Sequence, residues 1–301
     1  MPRAAALAVV LGLLAAACAP RAGPPNTLAV IATFYPLYEF AQRVGGDRVA
    51  VRVLIPAGVE PHDFEPTPRD VAGVAGVRVL IYNGAGFEPW LEKLLPEVPP
   101  SAVRVNTTRG LPLRSGFRGA EGGSAPAEDP HVWLDPVLAS RQVDAIIEGL
   151  SAADPGGRGA YAANGARVKA DLEALHQRFA STLAHCRRRT FITTHAAFGY
   201  LARRYALMQI SISGLSPETE PSPARLKQIV QEARRAGVEV IYYETLISPR
   251  VAEVIAGEVG VHTAVLNPIE GLTSEEQRRG SNYFRVMDEN RRTLGSGLGC
   301  R

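Results

Sequence analysis

The chain has 301 residues, more than one ordinary core needs and enough for two lobes. Hydrophobic residues make up 46% and charged residues 21%, which excludes a disordered chain. The net charge of +3 is small for this length and both signs are mixed along the chain, which argues against a nucleic-acid partner. The densest basic run, Arg187-Arg188-Arg189, reads as a solvated turn before a strand.

Residues 1–17 read as a signal peptide: Arg3 supplies a positive start, and residues 4–17 form an apolar run. That run is shorter than the ~20 residues a membrane-spanning helix requires. It ends in Leu14-Ala15-Ala16-Ala17-Cys18, small residues before a cysteine that resemble the bacterial lipobox, with Ala15 where Leu is usual. Lipidation at Cys18 is the expectation; cleavage with simple secretion, or an uncleaved anchor, are the alternatives. Residues 18–27 would then be a lipidated tether rich in Pro, Gly and Ala.

From residue 28 onward, strands and helices alternate. Residues 28–33, 49–54 and 77–82 are short, apolar and rich in Val and Ile, the pattern of parallel strands covered on both faces. Thr67-Pro68 suits a helix start, with Thr as cap and Pro in the first turn. Residues 114–128 are Gly-, Ala- and Glu-rich without apolar periodicity and read as a mobile surface loop.

Residues 158–184 predict one long helix, with Tyr161, Val168, Leu172, Leu175, Phe179 and Leu183 on a single stripe. Its length would be about 40 Å, enough to join two lobes rigidly. A second set of strands follows at residues 190–194, 208–213, 238–243 and 261–266. Ser222-Pro223 and Ser248-Pro249 repeat the cap-then-Pro start, and Gly237 is placed to end the helix before it. The chain therefore divides into an N-terminal α/β lobe at 28–155, a linking helix at 156–185 and a C-terminal α/β lobe at 186–301. Each lobe has a parallel-type sheet flanked by helices. Cys186 and Cys300 remain in an oxidising compartment and are candidates for a disulfide tying the C-terminal tail to the second lobe, or two separate thiols.

Three of the six histidines stand at strand ends or loop starts. His62 lies in Glu60-Pro61-His62-Asp63-Phe64, His131 in Asp129-Pro130-His131-Val132-Trp133-Leu134-Asp135-Pro136, and His195 in Thr193-Thr194-His195-Ala196-Ala197-Phe198. Ligands in open α/β sheets bind outside the carboxyl ends of strands, where His62 and His195 fall, one in each lobe. Their wide spacing is unlike a zinc finger, so spacing alone is a weak metal signal. His176, His185 and His262 sit in the long helix, at its end and inside a strand, and read as structural or surface residues.

Taken together, the segments at 61–70, 131–136 and 193–200 resemble the metal-binding lipoproteins of the cluster 9 ABC transporter substrate-binding family. Asn267-Pro268-Ile269-Glu270-Gly271-Leu272-Thr273 resembles that family's fourth ligand segment, and the likeness runs in order over nearly all of residues 28–295. The resemblance implies two α/β lobes joined by one long helix, with a metal in the cleft between them. It also implies an extracytoplasmic monomer that hands its ion to an ABC transporter permease, held at the membrane by a lipid anchor.

Three imidazoles and one carboxylate make a four-coordinate set suited to Zn²⁺, whereas harder Mn²⁺ favours more carboxylate oxygen. In manganese-type members the position matching His195 is commonly a carboxylate. The expected ligands are therefore His62, His131, His195 and Glu270. Glu60 is a rival fourth ligand, although Pro61 separates it from His62. The long His-rich loop of many zinc-type relatives is replaced here by residues 113–129 without a histidine. The alternatives are a manganese or iron homologue, an adhesin, and a zinc hydrolase. No His-Glu-x-x-His segment supports the last, and a filled fourth position leaves no activated water.

Overall fold

The computed structural model describes residues 27–115, 128–217 and 221–301. The expected signal peptide, Cys18, nearly all of the expected tether and residues 116–127 of the expected loop lie outside the described residues. At the base of that loop, Ser115 and Glu128 pair as an antiparallel bridge.

Two four-stranded sheets, all parallel, form the two lobes. The first has β1 (Leu28–Ala32), β2 (Val49–Val53), β3 (Val79–Tyr82) and β4 (Val103–Asn106), in the order β2-β1-β3-β4. The second has β5 (Thr190–Thr193), β6 (Met208–Ser211), β7 (Val240–Tyr243) and β8 (His262–Val265), in the matching order β6-β5-β7-β8. Burial follows position in the sheet. Central β3 is buried at three successive residues, whereas edge strand β2 alternates, with Ala50 and Arg52 facing solvent. The chain reverses direction of growth between β1 and β3, and again between β5 and β7. These switch points open crevices at the carboxyl ends.

The helices are α1 (Tyr35–Gly45), α2 (Pro68–Gly73), α3 (Leu91–Leu94), α4 (Pro136–Ala153), α5 (Arg158–Leu183), α6 (Gly199–Arg204), α7 (Pro223–Ala236), α8 (Arg250–Val259), α9 (Ser274–Arg278) and α10 (Tyr283–Leu298). Thr67 starts α2 through a capping box with Asp70, and the Ser222 hydroxyl accepts from Arg225 N–H at the start of α7. Gly237 ends α7 in the left-handed conformation, φ 58°, that side chains with a Cβ resist. At α8 the start is shifted: Pro249 is the cap, and Ser248 Oγ accepts from Arg250 N–H at 3.4 Å.

The long link is α5, 26 residues and about 39 Å. Its buried stripe is Tyr161, Gly165, Val168, Leu172, Leu175, Phe179 and Leu183. It packs on α1 and α4 of the first lobe and on α10 of the second. One continuous apolar core runs from β1 and β3 through this stripe to Leu294 and Leu298, and a smaller core lies between the second sheet, α7 and α8. Each fully buried Leu or Phe in the stripe contributes roughly 1.5–3 kcal/mol, so the join is stiff. Cys186 and Cys300 are joined by a disulfide, with Cα atoms 3.7 Å apart, and fasten the end of α10 beside the start of the second sheet. No helix among the described residues is long and apolar enough to cross a membrane.

Candidate metal centre

Four segments converge between the lobes. His62 sits in the single 3-10 turn Pro61–Asp63 after β2, His131 caps the 3-10 turn Val132–Leu134, His195 follows β5, and Glu270 follows β8 by a short loop. Among the described residues these four form a metal-capable group, their ligand atoms all within 4.8 Å of one another. His131, His195 and Glu270 are buried, and the His62 side chain is 11% exposed.

Every ring presents Nε2 to one oxygen. Glu270 Oε1 lies 3.1 Å from His131 Nε2, 3.2 Å from His195 Nε2 and 3.4 Å from His62 Nε2, and the first two Nε2 atoms stand 3.4 Å apart. Donors held about 2.0–2.1 Å from a tetrahedral Zn²⁺ stand about 3.3 Å from each other. Four of the six edges therefore match a zinc tetrahedron. His62 Nε2 and Glu270 Oε2 are buried without hydrogen-bond partners, and such orphans are costly unless something else satisfies them.

Carboxylates behind the rings set their orientation. His131 Nδ1 bonds Asp129 Oδ1 at 2.8 Å, and His195 Nδ1 bonds Glu244 Oε1 at 2.5 Å. Glu244 also accepts from the Thr194 hydroxyl. With the proton on Nδ1, each Nε2 lone pair points at the centre, the arrangement that orients metal-bound imidazoles. The two strand-end positions fix this pair, since Glu244 follows β7 as His195 follows the adjacent β5.

Further contacts lock the His131 and Glu270 segments together. Trp133 Nε1 donates to Pro268 O at 2.7 Å, and Tyr283 Oη donates to Trp133 O at 2.6 Å. Asp135 takes Arg204 Nε at 2.9 and 3.0 Å. Ile269, beside Glu270, holds a left-handed φ of 57°, unusual for a β-branched residue. Its N–H donates to Asn267 Oδ1 at 2.7 Å, and Asn267 is itself held by Asn290 and Glu276. Such strain persists only where the surroundings over-determine it, and it clusters at functional sites. On the His62 side, the Phe87 ring meets the imidazole edge-on at 5.1 Å. Buried Glu88 secures that loop by accepting from Thr33, Asn83 and Gly84, and burial pushes its carboxyl up to about 6. Gly84 turns the same loop at φ 82°, where a Cβ would press on Asn106.

The electrostatics follow from burial opposed by charge. Burial pulls the His195 imidazole down, but the Glu244 and Glu270 carboxylates outweigh it and hold its pKa well above the usual value. For His131 burial is likewise overcome, by bonds to Asp129 and Glu270, and its pKa is raised. Burial pushes Glu270 up, yet the His62 and His195 rings and the bonds from His131 and His195 hold it well below the usual range. Glu60 behaves differently: burial first, then the Glu270 carboxylate, pushes its carboxyl up to about 9. It stands outside the group of four; Oε1 accepts from His62 N–H at 3.2 Å, and Oε2 is buried without a partner.

The remaining histidines are placed elsewhere. His176 Nδ1 meets Tyr205 Oη at 3.1 Å, and His185 and His262 are exposed. Asp129 and Glu244 were not singled out from sequence. Their signals are present: an acid two residues before His131, and an acid directly after the strand paired with β5.

Known proteins share both sequence and fold. Residues 30–297 match the family described as ZnuA, zinc-uptake complex component A periplasmic. The chain is 38% identical over 281 residues to the high-affinity zinc uptake system protein ZnuA of Bacillus subtilis (strain 168), covering 91% of this chain and 88% of that one. It is 38% identical over 296 residues to the zinc-binding lipoprotein AdcA of Streptococcus pneumoniae, covering 96% of this chain but 59% of AdcA, so it spans only part of that longer protein. The crystal structure of the Zn(II)-bound ZnuA-like domain of S. pneumoniae AdcA superposes with a TM-score of 0.77 at 37% identity, covering 90% of this chain and 99% of that domain. The metal-dependent lipoprotein YcdH from B. subtilis superposes with a TM-score of 0.78 at 40% identity, covering 90% of this chain and 99% of that one. With two matching parallel-sheet lobes, a donor set of three imidazoles and one carboxylate compatible with Zn²⁺, and a family match over most of its length, the chain belongs to the ZnuA family of periplasmic zinc-uptake components.

Proposed function

We propose that this protein captures Zn²⁺ outside the cytoplasm and delivers it to the permease of an ABC importer, with His62, His131, His195 and Glu270 as its ligands. The observation that carries the proposal is the convergence of three Nε2 atoms on Glu270 Oε1 at 3.1, 3.2 and 3.4 Å. The names of the relatives support zinc as cargo. The fourth ligand position is taken by a carboxylate rather than left for water, so binding is favoured over hydrolysis. In this proposal residues 28–155 and 186–301 are the lobes, 156–185 is the link, and the mature protein is a monomer.

Metal analysis of protein purified without chelator tests the proposal. Stoichiometric zinc, and Zn²⁺ winning over Mn²⁺ in competition, is the expected result; Mn²⁺ or iron held in preference would transfer the function to the other metal. We further propose that residues 1–17 are removed and Cys18 is lipidated, holding residues 18–27 as a tether at the membrane. Stable anchoring needs more than one acyl chain, as in bacterial lipoproteins. Cys18→Ala is expected to move the protein to the soluble fraction, and retention in the membrane would mean that some other segment anchors it.

A further inference from the structure

A cavity of about 360 Å³ lies beside the zinc centre and is not used by it. Arg114, Ser115 and Asp129 form one wall, and α6 and β6 form the others. Arg114 meets Tyr200 in that wall with both backbone and side chain. Its backbone N–H donates to Tyr200 Oη at 2.9 Å, and the guanidinium carbon lies 5.6 Å from the centre of the Tyr200 ring. It also occupies the space beside Gly199, where a Cβ would collide with Nη1. Nη1 forms an ion pair with Asp129 Oδ2 at 3.8 Å but has no hydrogen-bond acceptor among the described residues, and the Arg114 side chain is 33% exposed. An ion-paired guanidinium whose Nη1 makes no hydrogen bond still has donor capacity for a further acceptor.

A second guanidinium stands at the same cavity. Arg203 lines it from α6 and is exposed, and its guanidinium has no ion-pair or hydrogen-bond partner among the described residues. Among the described lining residues one carboxylate, Asp129, stands against these two cations, and its Oδ1 is committed to His131 at 2.8 Å. The described part of the wall therefore carries a net positive charge. The rest of the lining is mixed, with Leu207, Met208 and Leu215 apolar and Ser115, Gln209 and Ser211 polar. Met208 is 61% exposed, the most exposed large apolar side chain among the described residues. The volume falls at the small end of the range for ligand pockets, about 300–1,000 Å³.

We propose that this cavity binds a small organic monocarboxylate, its carboxylate between Arg114 and Arg203 and its aliphatic body against Leu207, Met208 and Leu215. Guanidinium forks match carboxylate oxygens in plane, and the carboxylate supplies the acceptor that Nη1 lacks. The apolar side chains Leu207, Met208 and Leu215 separate this ligand from an inorganic anion.

Titration calorimetry of the full chain with butyrate tests the site, with butanol as the neutral analogue and sulfate as the inorganic competitor. Saturable one-to-one binding of butyrate is expected, with none of butanol and no displacement by equimolar sulfate. Arg203→Ala, an exposed position that leaves the fold intact, is expected to weaken butyrate about tenfold. Met208→Ser is expected to weaken it severalfold while leaving the charge recognition in place. Absence of butyrate binding, equal binding of butanol, displacement by sulfate, or an unchanged affinity in Arg203→Ala would each overturn the proposal.

Discussion

Glu244 is the most informative residue to perturb, because it touches the site only through His195. Its Oε1 holds His195 Nδ1 at 2.5 Å, fixing the tautomer that aims Nε2 inward. Loss of such a support typically costs about 10–100-fold in metal affinity, or roughly 1.4–2.8 kcal/mol. Glu244→Gln retains an acceptor and loses the charge, so a weakening of about tenfold is expected; Glu244→Ala loses both and should approach about a hundredfold. The defect should also depend on pH. Glu244 is a main cause of the raised His195 pKa, so removing it weakens the proton that competes with zinc as well as zinc itself. Above the His195 pKa only the zinc loss counts; below it, reduced proton competition offsets part of that loss. Competition titrations against a chromophoric zinc chelator at several pH values provide the assay. Because the His195 pKa is held well above its ordinary value of about 6.5, the fold-loss should already be shrinking on the alkaline side of that value and shrink further as pH falls through it. A loss that is constant with pH, or no loss in Glu244→Ala, would refute the assignment of Glu244 as the support of a zinc ligand.

Glu270→Ala should weaken zinc binding and reduce the zinc-induced rise in Tm, since a ligand stabilises in proportion to RT ln(1 + [L]/Kd), while Glu60→Ala does much less; the reverse ranking would make Glu60 the fourth ligand. The zinc-induced rise in Tm should fall as pH is lowered. His131 and His195 have raised folded-state pKa values, so their contribution to the metal-free fold is fully present below the unfolded value near 6.5 and is lost as pH rises through the folded values. Zinc requires both rings deprotonated, so acid favours the metal-free protein on both counts; scanning calorimetry showing a rise independent of pH would contradict this. Replacing Cys186 and Cys300 by Ser opens a cross-link with a sequence separation of 114, expected to cost about 4–5 kcal/mol. Tm should drop by on the order of 10 °C. Zinc affinity should stay within about twofold, because the pair lies at the end of β5 opposite His195.

How much was legible in the sequence depended on how local each signal is. Strands β1, β2 and β3 announce themselves as short Val- and Ile-rich runs, the strands of the second sheet as short runs between helix signals, and α5 as a stripe of seven-, three- and four-residue steps. β4, Val103–Asn106, was not read, because Arg104 and Asn106 interrupt its apolar character in a strand at the sheet edge. Its membership is set by pairing with β3, a tertiary fact. The strand ends read one or two residues too long at several places, because residues such as Thr33 and Leu54 are buried while lying beyond the ladder. In the site, the three histidines and Glu270 stood out by residue type at loop starts. Asp129 and Glu244 do not, since an acid near a strand end is common and only the bonds to His131 and His195 distinguish them.

The placement of the acids bears on metal choice. A site of three neutral imidazoles and one carboxylate leaves a bound Zn²⁺ with about one net positive charge, which is expensive to bury. Here Asp129 and Glu244 each stand one ring further out and compensate that charge without touching the ion. The same two carboxylates at coordinating distance would make an oxygen-rich site suited to a harder ion such as Mn²⁺. Set behind the imidazoles, they instead make Nε2 more basic and favour the borderline ion that prefers nitrogen. With the proposed ligands, selectivity would be a matter of distance as well as residue type. An acid moved inward, as in His195→Glu, changes both the donor atom and the fate of Glu244, which would face a carboxylate instead of an imidazole. That substitution should narrow the preference for Zn²⁺ by weakening zinc directly and by placing two like charges side by side, a repulsion that a metal of higher coordination number relieves more readily than a tetrahedral one.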